Sequence, residues 1–384
     1  MRASLACLSW RKLTFEYSTF CARPAAPARE RLAPGYPAQL VENYITLGQY
    51  EAAFPGKVKP EVYAYVTGGS ASELSLRRNR AGLDRLVIEQ RIGMDVRSID
   101  LTTSFLGMQL PAPYAVCPMG GMPQLWPKGD VEMARGATLG GLLGVANSGG
   151  PLQERVEVAS GPLMYQLYNY GDRDWAAARL EEIQAAGYKA IVLTVDTGVQ
   201  SRRDAHLEAL WTAGGGQLPP PRAAQPGSDP MYLSMITWDY IRYLRDVIKV
   251  PFGLKGVMHP DDARASLDCG LDFVWISNHG GRQLDSGRAT IDALPRVAAA
   301  IGNRAPIIID GGFRRGTDII KGIALGATIV AIGRPYMWGL AHAGAEGAAA
   351  VSKILETELR VDMALAGQTS IRGLTRDAVD YVDY

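Results

Sequence analysis

The strongest limit on what this chain can fold into is a unit that recurs eight times from about residue 113 onward. Each unit is a short apolar, β-branched run ending in Gly, Pro, Asn or Asp, followed by an Ala/Leu-rich helical stretch. The runs are Tyr114–Pro118, Leu142–Ala146, Leu163–Leu167, Ala190–Thr194, Phe252–Lys255, Phe273–Ile276, Pro306–Asp310 and Ile329–Ile332. Most are apolar without alternation, as expected of strands buried on both faces of a parallel sheet. Asp174–Ala186 and Pro260–Cys269 are examples of the helical stretches between them. Eight such units predict an α/β fold of the (β/α)8 TIM-barrel type, with an open doubly wound sheet of the same strands as the competing arrangement. Helical patterns over Pro37–Ala53 and Pro60–Asn79 predict an N-terminal helical cap on the same domain. Residues 206–236, after strand four, are rich in Gly, Pro and Ala and read as a long loop over the C-terminal face. The expected organisation is one domain over residues 35–384, with the barrel from about 113, preceded by an extension over 1–34.

Composition excludes several classes of partner. Lys plus Arg number 40 and Asp plus Glu 39, a balance that suits neither nucleic acid nor a strongly anionic surface. The cysteines Cys7, Cys21, Cys117 and Cys269 are scattered, which predicts neither a disulfide framework nor a metal site and fits a reducing compartment. No apolar run approaches the roughly 18 residues that span a bilayer, so no membrane association and a cytoplasmic location are expected. The first residues carry Arg2, Arg11, Lys12, Arg23 and Arg29, with Pro and Ala crowded over Ala22–Ala28. A disordered extension, a weak transit peptide and translation from an upstream start are all consistent with them.

In barrels of this kind the chemistry collects at the C-terminal ends of the strands. Strand six is followed by Ser277-Asn-His-Gly-Gly-Arg-Gln-Leu-Asp285, which sets a base, His279, three residues from a fixed cation, Arg282. Such a pair suits removal of a proton beside a bound carboxylate. Strand three ends in Gln166 and Tyr168, and strand four leads through Thr194 and Asp196 to Arg203. Strand five ends in Lys255, a residue that is costly at a buried position unless it meets an anion. Strands seven and eight lead into Asp310-Gly-Gly-Phe-Arg-Arg-Gly-Thr-Asp318 and Gly333-Arg-Pro335. Glycines next to arginines at these two strand ends point to a phosphate site built on backbone N–H groups and a helix N-terminus. A phosphate site beside a base and a carboxylate clamp implies a phosphorylated cofactor next to an organic acid.

The segments SNHGGRQLD, LTVDT, LKG, DGGFRRGTD and IGRP resemble the FMN-dependent α-hydroxy acid oxidase and dehydrogenase family, which includes glycolate oxidase, lactate oxidase and mandelate dehydrogenase. The resemblance runs from about Tyr44 to the C-terminus, and Lys255–Asp262 and Tyr381–Tyr384 lean toward lactate oxidase. It implies FMN on the strand C-termini, a homotetramer, and oxidation of an (S)-2-hydroxy acid to the 2-oxo acid. Electrons would pass to O2, giving hydrogen peroxide, or to a quinone-type acceptor. It also implies residue roles. His279 would be the base and Asp196 its partner, and Arg203 and Arg282 would clamp the carboxylate. Tyr65 and Tyr168 would hydrogen-bond the substrate. Lys255, Gln166, Thr194, Ser148 and Ser277 would lie at the polar edge of the flavin, with Pro118, Met119 and Gly120 beside its ring. Asp310, Gly311, Gly312, Arg314, Gly333 and Arg334 would hold the ribityl phosphate side.

Two departures bear on the substrate. Family members commonly read Pro-Thr-Ala or Pro-Ile-Ala where this chain reads Pro118-Met119-Gly120-Gly121, and glycolate and lactate oxidases carry an aromatic where it reads Asn147-Ser148-Gly149-Gly150. The missing ring predicts a pocket for a substrate bulkier than glycolate, branched or aryl. The alternatives are a flavin barrel acting on a larger, non-standard carboxylate and a non-catalytic flavin-binding subunit. An IMP dehydrogenase-like barrel would need a cysteine after strand six, and there is none.

Overall fold

The eight apolar runs pair edge to edge into a closed, all-parallel barrel in a computed structural model of the protein, which describes residues 44–219 and 229–382. In chain order the strands are β1 (Tyr114–Val116), β2 (Leu143–Ala146), β3 (Leu163–Leu167), β4 (Ala190–Thr194), β5 (Phe252–Val257), β6 (Phe273–Ile276), β7 (Ile307–Ile309) and β8 (Ile329–Ile332). Sequential neighbours pair throughout, and β8 returns to β1 with Val330 opposite Tyr114. The open-sheet alternative is therefore excluded. The described residues all belong to one compact unit. The predicted extension over 1–34, the first residues of the predicted Pro37–Ala53 helix and residues 220–228 lie outside the described residues.

Two apolar layers hold the barrel. Residues facing outward, such as Ile191, Leu193, Val274 and Ile309, pack against the surrounding helices. Residues facing inward, including Leu143, Val145, Met164, Val192, Phe273, Trp275, Ile308 and Ile329, fill the lumen. Side chains alternate between the two faces along each strand. Continuing the inward set one step past these apolar residues reaches Gln166, Thr194, Lys255, Ser277 and Asp310 at the C-terminal rim. The N-terminal end of the lumen is closed by a hairpin over Thr103–Phe105 and Met108–Leu110, whose buried Phe105 meets Phe273 edge-on at 5.6 Å.

The cap consists of helices at Leu47–Ala53, Pro60–Thr67 and Leu74–Asp84. The helical pattern over Pro60–Asn79 thus splits at Gly68-Gly69, which leaves Tyr65 in the last turn of the middle helix. A second difference concerns the insertion after β4. It opens with a helix, Asp204–Ala213, and includes a 3-10 segment, Pro230–Met235, where the sequence suggested continuous loop. The reason is local: residues 204–213 are helix formers, and the Gly and Pro that dominate the 206–236 average come after them. The longest helix, Arg334–Leu365, is kinked at Ala343–Gly344. No helix among the described residues is long and apolar enough to cross a membrane.

Candidate active site

The C-terminal rim of the barrel opens into a cavity of about 1790 Å³. It is lined by Tyr65, Tyr168, Arg203, Lys255, His279 and Arg282, and on the far side by Gly311, Gly312, Arg314, Gly333 and Arg334. Pro118, Met119, Gly120, Ser148, Gln166 and Asp310 also line it. Asp196, Thr194 and Ser277 are not among its lining residues and lie next to them.

His279 begins the turn after β6 with φ of 58°, a left-handed conformation uncommon outside glycine and often found at functional sites. Its backbone N–H donates to Ser277 Oγ at 3.0 Å, and its ring Nδ1 lies 3.0 Å from Asp196 Oδ1. A carboxylate can only accept, so Nδ1 carries the hydrogen and Nε2 keeps its lone pair. Burial pushes the imidazole below its usual pKa and Lys255 and Arg282 add to this, with Asp196 opposing. His279 is therefore neutral near pH 7, the form that accepts a proton. Burial alone would raise Asp196, but His279 and Lys255 hold its carboxyl below the usual range. The second oxygen, Oδ2, is buried and without a partner.

Beside this pair lie guanidinium groups with no carboxylate attached. Arg282 Nη1 donates to the Tyr65 carbonyl at 2.5 Å and the Gly68 carbonyl at 2.8 Å, and its guanidinium sits 4.8 Å from the Tyr65 ring. Arg203 Nε reaches Ser201 Oγ at 3.3 Å. Arg334 donates to the Val66 carbonyl at 3.0 Å and to the Gly68 and Gly280 carbonyls. None of the three forms an ion pair with a carboxylate among the described residues. Burial, Arg203 and Arg334 together push Arg282 down to about 9, and burial and Arg314 push Arg334 down to about 10. Clustered cations held in this way have unmet demand for anions.

The far side departs from the sequence-based picture in detail. The Cβ sides of Gly311 and Gly312 face inward: an added Cβ would come 2.6 Å from Thr290 Oγ1 and 3.0 Å from the Asn79 backbone respectively. These glycines let the turn pack onto the Leu74–Asp84 helix. The helix that follows, Gly316–Ala324, already has its N-terminus covered. Asp318 accepts from the Arg314 and Arg315 N–H groups, and Glu358 accepts from the Gly316 N–H at 3.0 Å. The helix after β8, entered through Gly333, has no side-chain cap. Arg314 pairs with Glu51 at 2.8 Å and lies over the Trp338 ring. An anion on this side is therefore best served by Gly333, Arg334 and the start of the Arg334–Leu365 helix, with Arg314 at the edge.

Between the two sides run unsatisfied polar groups. Gln166 Nε2 and Thr194 Oγ1 are buried with no partner. Lys255 is 4% exposed; burial would lower it, but Asp310 and Asp196 hold its ammonium above the usual value. Ser148, expected at the same edge, uses its hydroxyl to bridge β2 and β3, donating to the Gln166 carbonyl and accepting from the Tyr168 N–H. A group with carbonyl and ring-nitrogen acceptors at one end and a phosphate at the other fits these donors. Sequence reasoning missed the apolar wall of the cavity, Trp175, Leu207 and Leu210. Leu207 and Leu210 belong to the helix hidden inside the insertion.

A family model described as FMN-dependent dehydrogenase matches residues 56–381. An L-lactate oxidase of Nostoc sp. is 36% identical over 359 residues, covering 87% of this chain and 97% of that protein. The glycolate oxidase of Spinacia oleracea is 33% identical, covering 87% of this chain and 95% of that one. Among solved structures, a mandelate oxidase variant with (S)-mandelic acid superposes with a TM-score of 0.81 at 31% identity, covering 89% of this chain and 100% of that one. A flavocytochrome b2 variant with pyruvate bound gives a TM-score of 0.81 at 30% identity, covering 88% and 87%.

Proposed function

This chain belongs to the FMN-dependent dehydrogenase family and is an FMN-dependent oxidoreductase, and we propose that it oxidises an (S)-2-hydroxy acid to the 2-oxo acid with His279 as the base. The observation that carries this reading is the His279–Asp196 hydrogen bond set beside half-buried arginines that lack a carboxylate. FMN, when bound, supplies the acceptor for two electrons. Arg203 and Arg282 clamp the substrate carboxylate, and Tyr65 and Tyr168 hydrogen-bond the carboxylate or hydroxyl. Burial raises the Tyr168 hydroxyl, so it remains a donor at neutral pH. His279 Nε2 takes the proton, and Asp196 stabilises the imidazolium through Nδ1. Gln166, Thr194 and Lys255 serve the polar edge of the flavin, and Gly333, Arg334 and Arg314 its phosphate.

The substrate side is wide. Gly149 is exposed at the rim, and a Cβ built there would meet only Asn147 Oδ1, at 3.4 Å. The cavity continues past it to Trp175, Leu207 and Leu210. This supports a 2-hydroxy acid with a branched or aryl side chain. O2 is the proposed acceptor, giving hydrogen peroxide, with a quinone-type acceptor as the alternative; a cytoplasmic homotetramer is the proposed form. The test is anaerobic titration of the FMN-loaded protein with lactate, 2-hydroxyisocaproate and mandelate, followed by air. Loss of the flavin band is expected, most readily with the bulkier acids, and fast return of the band in air marks an oxidase. A flavin that none of these acids bleaches rules out this substrate class, and higher kcat/KM for glycolate than for mandelate and 2-hydroxyisocaproate rules out the wide-pocket reading.

A further inference from the structure

Below the cavity floor lies a closed polar cluster that the proposed proton transfer does not use. Its centre is Asp310, which is 4% exposed at the end of β7. Asp310 Oδ1 accepts from Ser277 Oγ at 2.8 Å, and Oδ2 accepts from Trp275 Nε1 at 2.9 Å. The Cys117 thiol approaches the same Oδ2 at 3.9 Å. Lys255 Nζ donates to Ser277 Oγ at 2.9 Å and lies 3.4 Å from Asp310 Oδ2. Lys255, Asp310 and Cys117 line the cavity, while Trp275 and Ser277 are wholly buried beneath it.

A carboxylate in such surroundings is costly unless donors offset its charge. Here that task is divided between the nearest cation, Lys255, and neutral donors, chiefly the Trp275 indole and the Ser277 hydroxyl, with Arg334 farther off. The division decides how Lys255 acts on whatever lies above it. A lysine fully matched by its counter-ion presents little net charge to the cavity. One whose counter-ion is hydrogen-bonded to an indole N–H from below presents more. Trp275 brings a strong neutral donor to the lumen while keeping its packing apolar.

We propose that Trp275 and Asp310 are positioning residues that set how strongly Lys255 draws electron density on the bound flavin, and thereby set the flavin's midpoint potential. Trp275 acts through Asp310, and Asp310 acts on Lys255 in addition to the cofactor contact that the family resemblance implies for it. The inference rests on the reading that FMN occupies this cavity over Lys255.

The test uses full-length protein reconstituted with FMN, as parent, Trp275→Phe and Asp310→Asn. FMN uptake is followed by fluorescence, the midpoint potential by dye-linked reductive titration, and the affinity for sulfite, which tightens as the flavin becomes more electron-deficient, by absorbance. Losing the indole donor leaves Asp310 to offset Lys255 more fully, so Trp275→Phe is expected to lower the potential and weaken sulfite binding severalfold. Removing the carboxylate charge is expected to do the opposite, raising the potential and tightening sulfite binding about tenfold. Shifts of opposite sign are the signature, because a purely structural role would lower thermal stability in both variants without splitting their potentials. Sulfite affinities within twofold of the parent, or shifts of the same sign, overturn the inference while leaving the FMN reading intact. A parent that takes up no FMN overturns that reading and the inference together. Should Trp275→Phe not accumulate in folded form, the direction of the Asp310→Asn shift decides alone.

Discussion

The turn after β6 and the excursion after β4 border the same cavity, yet they are built in opposite ways. The turn is anchored to the cap at several points. Gly281, at φ 77°, lies so close to the cap that an added Cβ would come 2.5 Å from the Leu76 backbone. Asp285 accepts from the Ser75 N–H at 2.8 Å and the Ser72 hydroxyl at 2.7 Å, and so caps the Leu74–Asp84 helix from across the chain. The helix Asp204–Ala213, by contrast, has no fully buried residue, and Val199, Trp211 and Met231 around it are 78%, 53% and 58% exposed. Proton transfer requires fixed geometry to a fraction of an ångström, whereas accommodation of a side chain tolerates a yielding wall. The base and the carboxylate clamp accordingly sit on or against the rigid segment, and Leu207 and Leu210 of the apolar wall sit on the loose one.

The sharpest way to break this comparison is His279→Gln. It should still bind FMN but lose about 10³-fold in kcat, at the scale of general base catalysis; near-parental turnover would remove His279 from the chemistry. Arg282→Lys follows, because a planar fork becomes a point charge. A loss of about 10–100-fold in kcat/KM is expected, in line with about 1.5–3 kcal/mol for a charge-assisted hydrogen bond; unchanged kinetics would show that another group holds the carboxylate. Leu210→Ala on the loose wall should change kcat/KM for mandelate by about 10-fold while leaving glycolate within a factor of about two, since an apolar contact contributes about 1–3 kcal/mol of discrimination. Equal losses for both acids would make that helix part of the chemistry and erase the contrast. Asp285→Ala should lower stability by about 1 kcal/mol through loss of the cap, with little change in kcat, as read by urea unfolding and steady-state rates.

A pH profile sharpens the same contrast. His279 is held below its usual pKa, so protonation that disables the base occurs only in acid. The acid limb of kcat/KM is therefore expected below pH 6.5, the rate falling as pH falls. A limb centred well above that value would mean that His279 is charged at neutral pH.

The barrel was legible in the sequence because parallel strands covered on both faces are apolar throughout. That same uniformity hides which residues face the lumen, so Trp275 reads as one more member of an apolar run although its indole N–H meets Asp310. The active-site motif was legible because its polar residues sit at strand ends. Within it, Asp285 has no role legible in the sequence and acts as a helix cap, since its partner helix lies about two hundred residues upstream. Arg314 looks like a free phosphate ligand, but Glu51 arrives from the far N-terminal side of the described chain. The Asp204–Ala213 helix was lost by averaging composition over a longer, mixed segment. In each case the missing information was a long-range contact or a local change of propensity.

Near the periphery, Leu86–Ile88 pairs with Val379–Tyr381, Leu86 lying opposite Tyr381. A strand made early in translation thus finds its partner only after the whole barrel has been made, and β1 likewise waits for β8, the last barrel strand. Until then both edges present unpaired backbone to other molecules. Deleting only the strand Val379–Tyr381 should therefore reduce soluble yield far more than the loss of a single short strand would suggest.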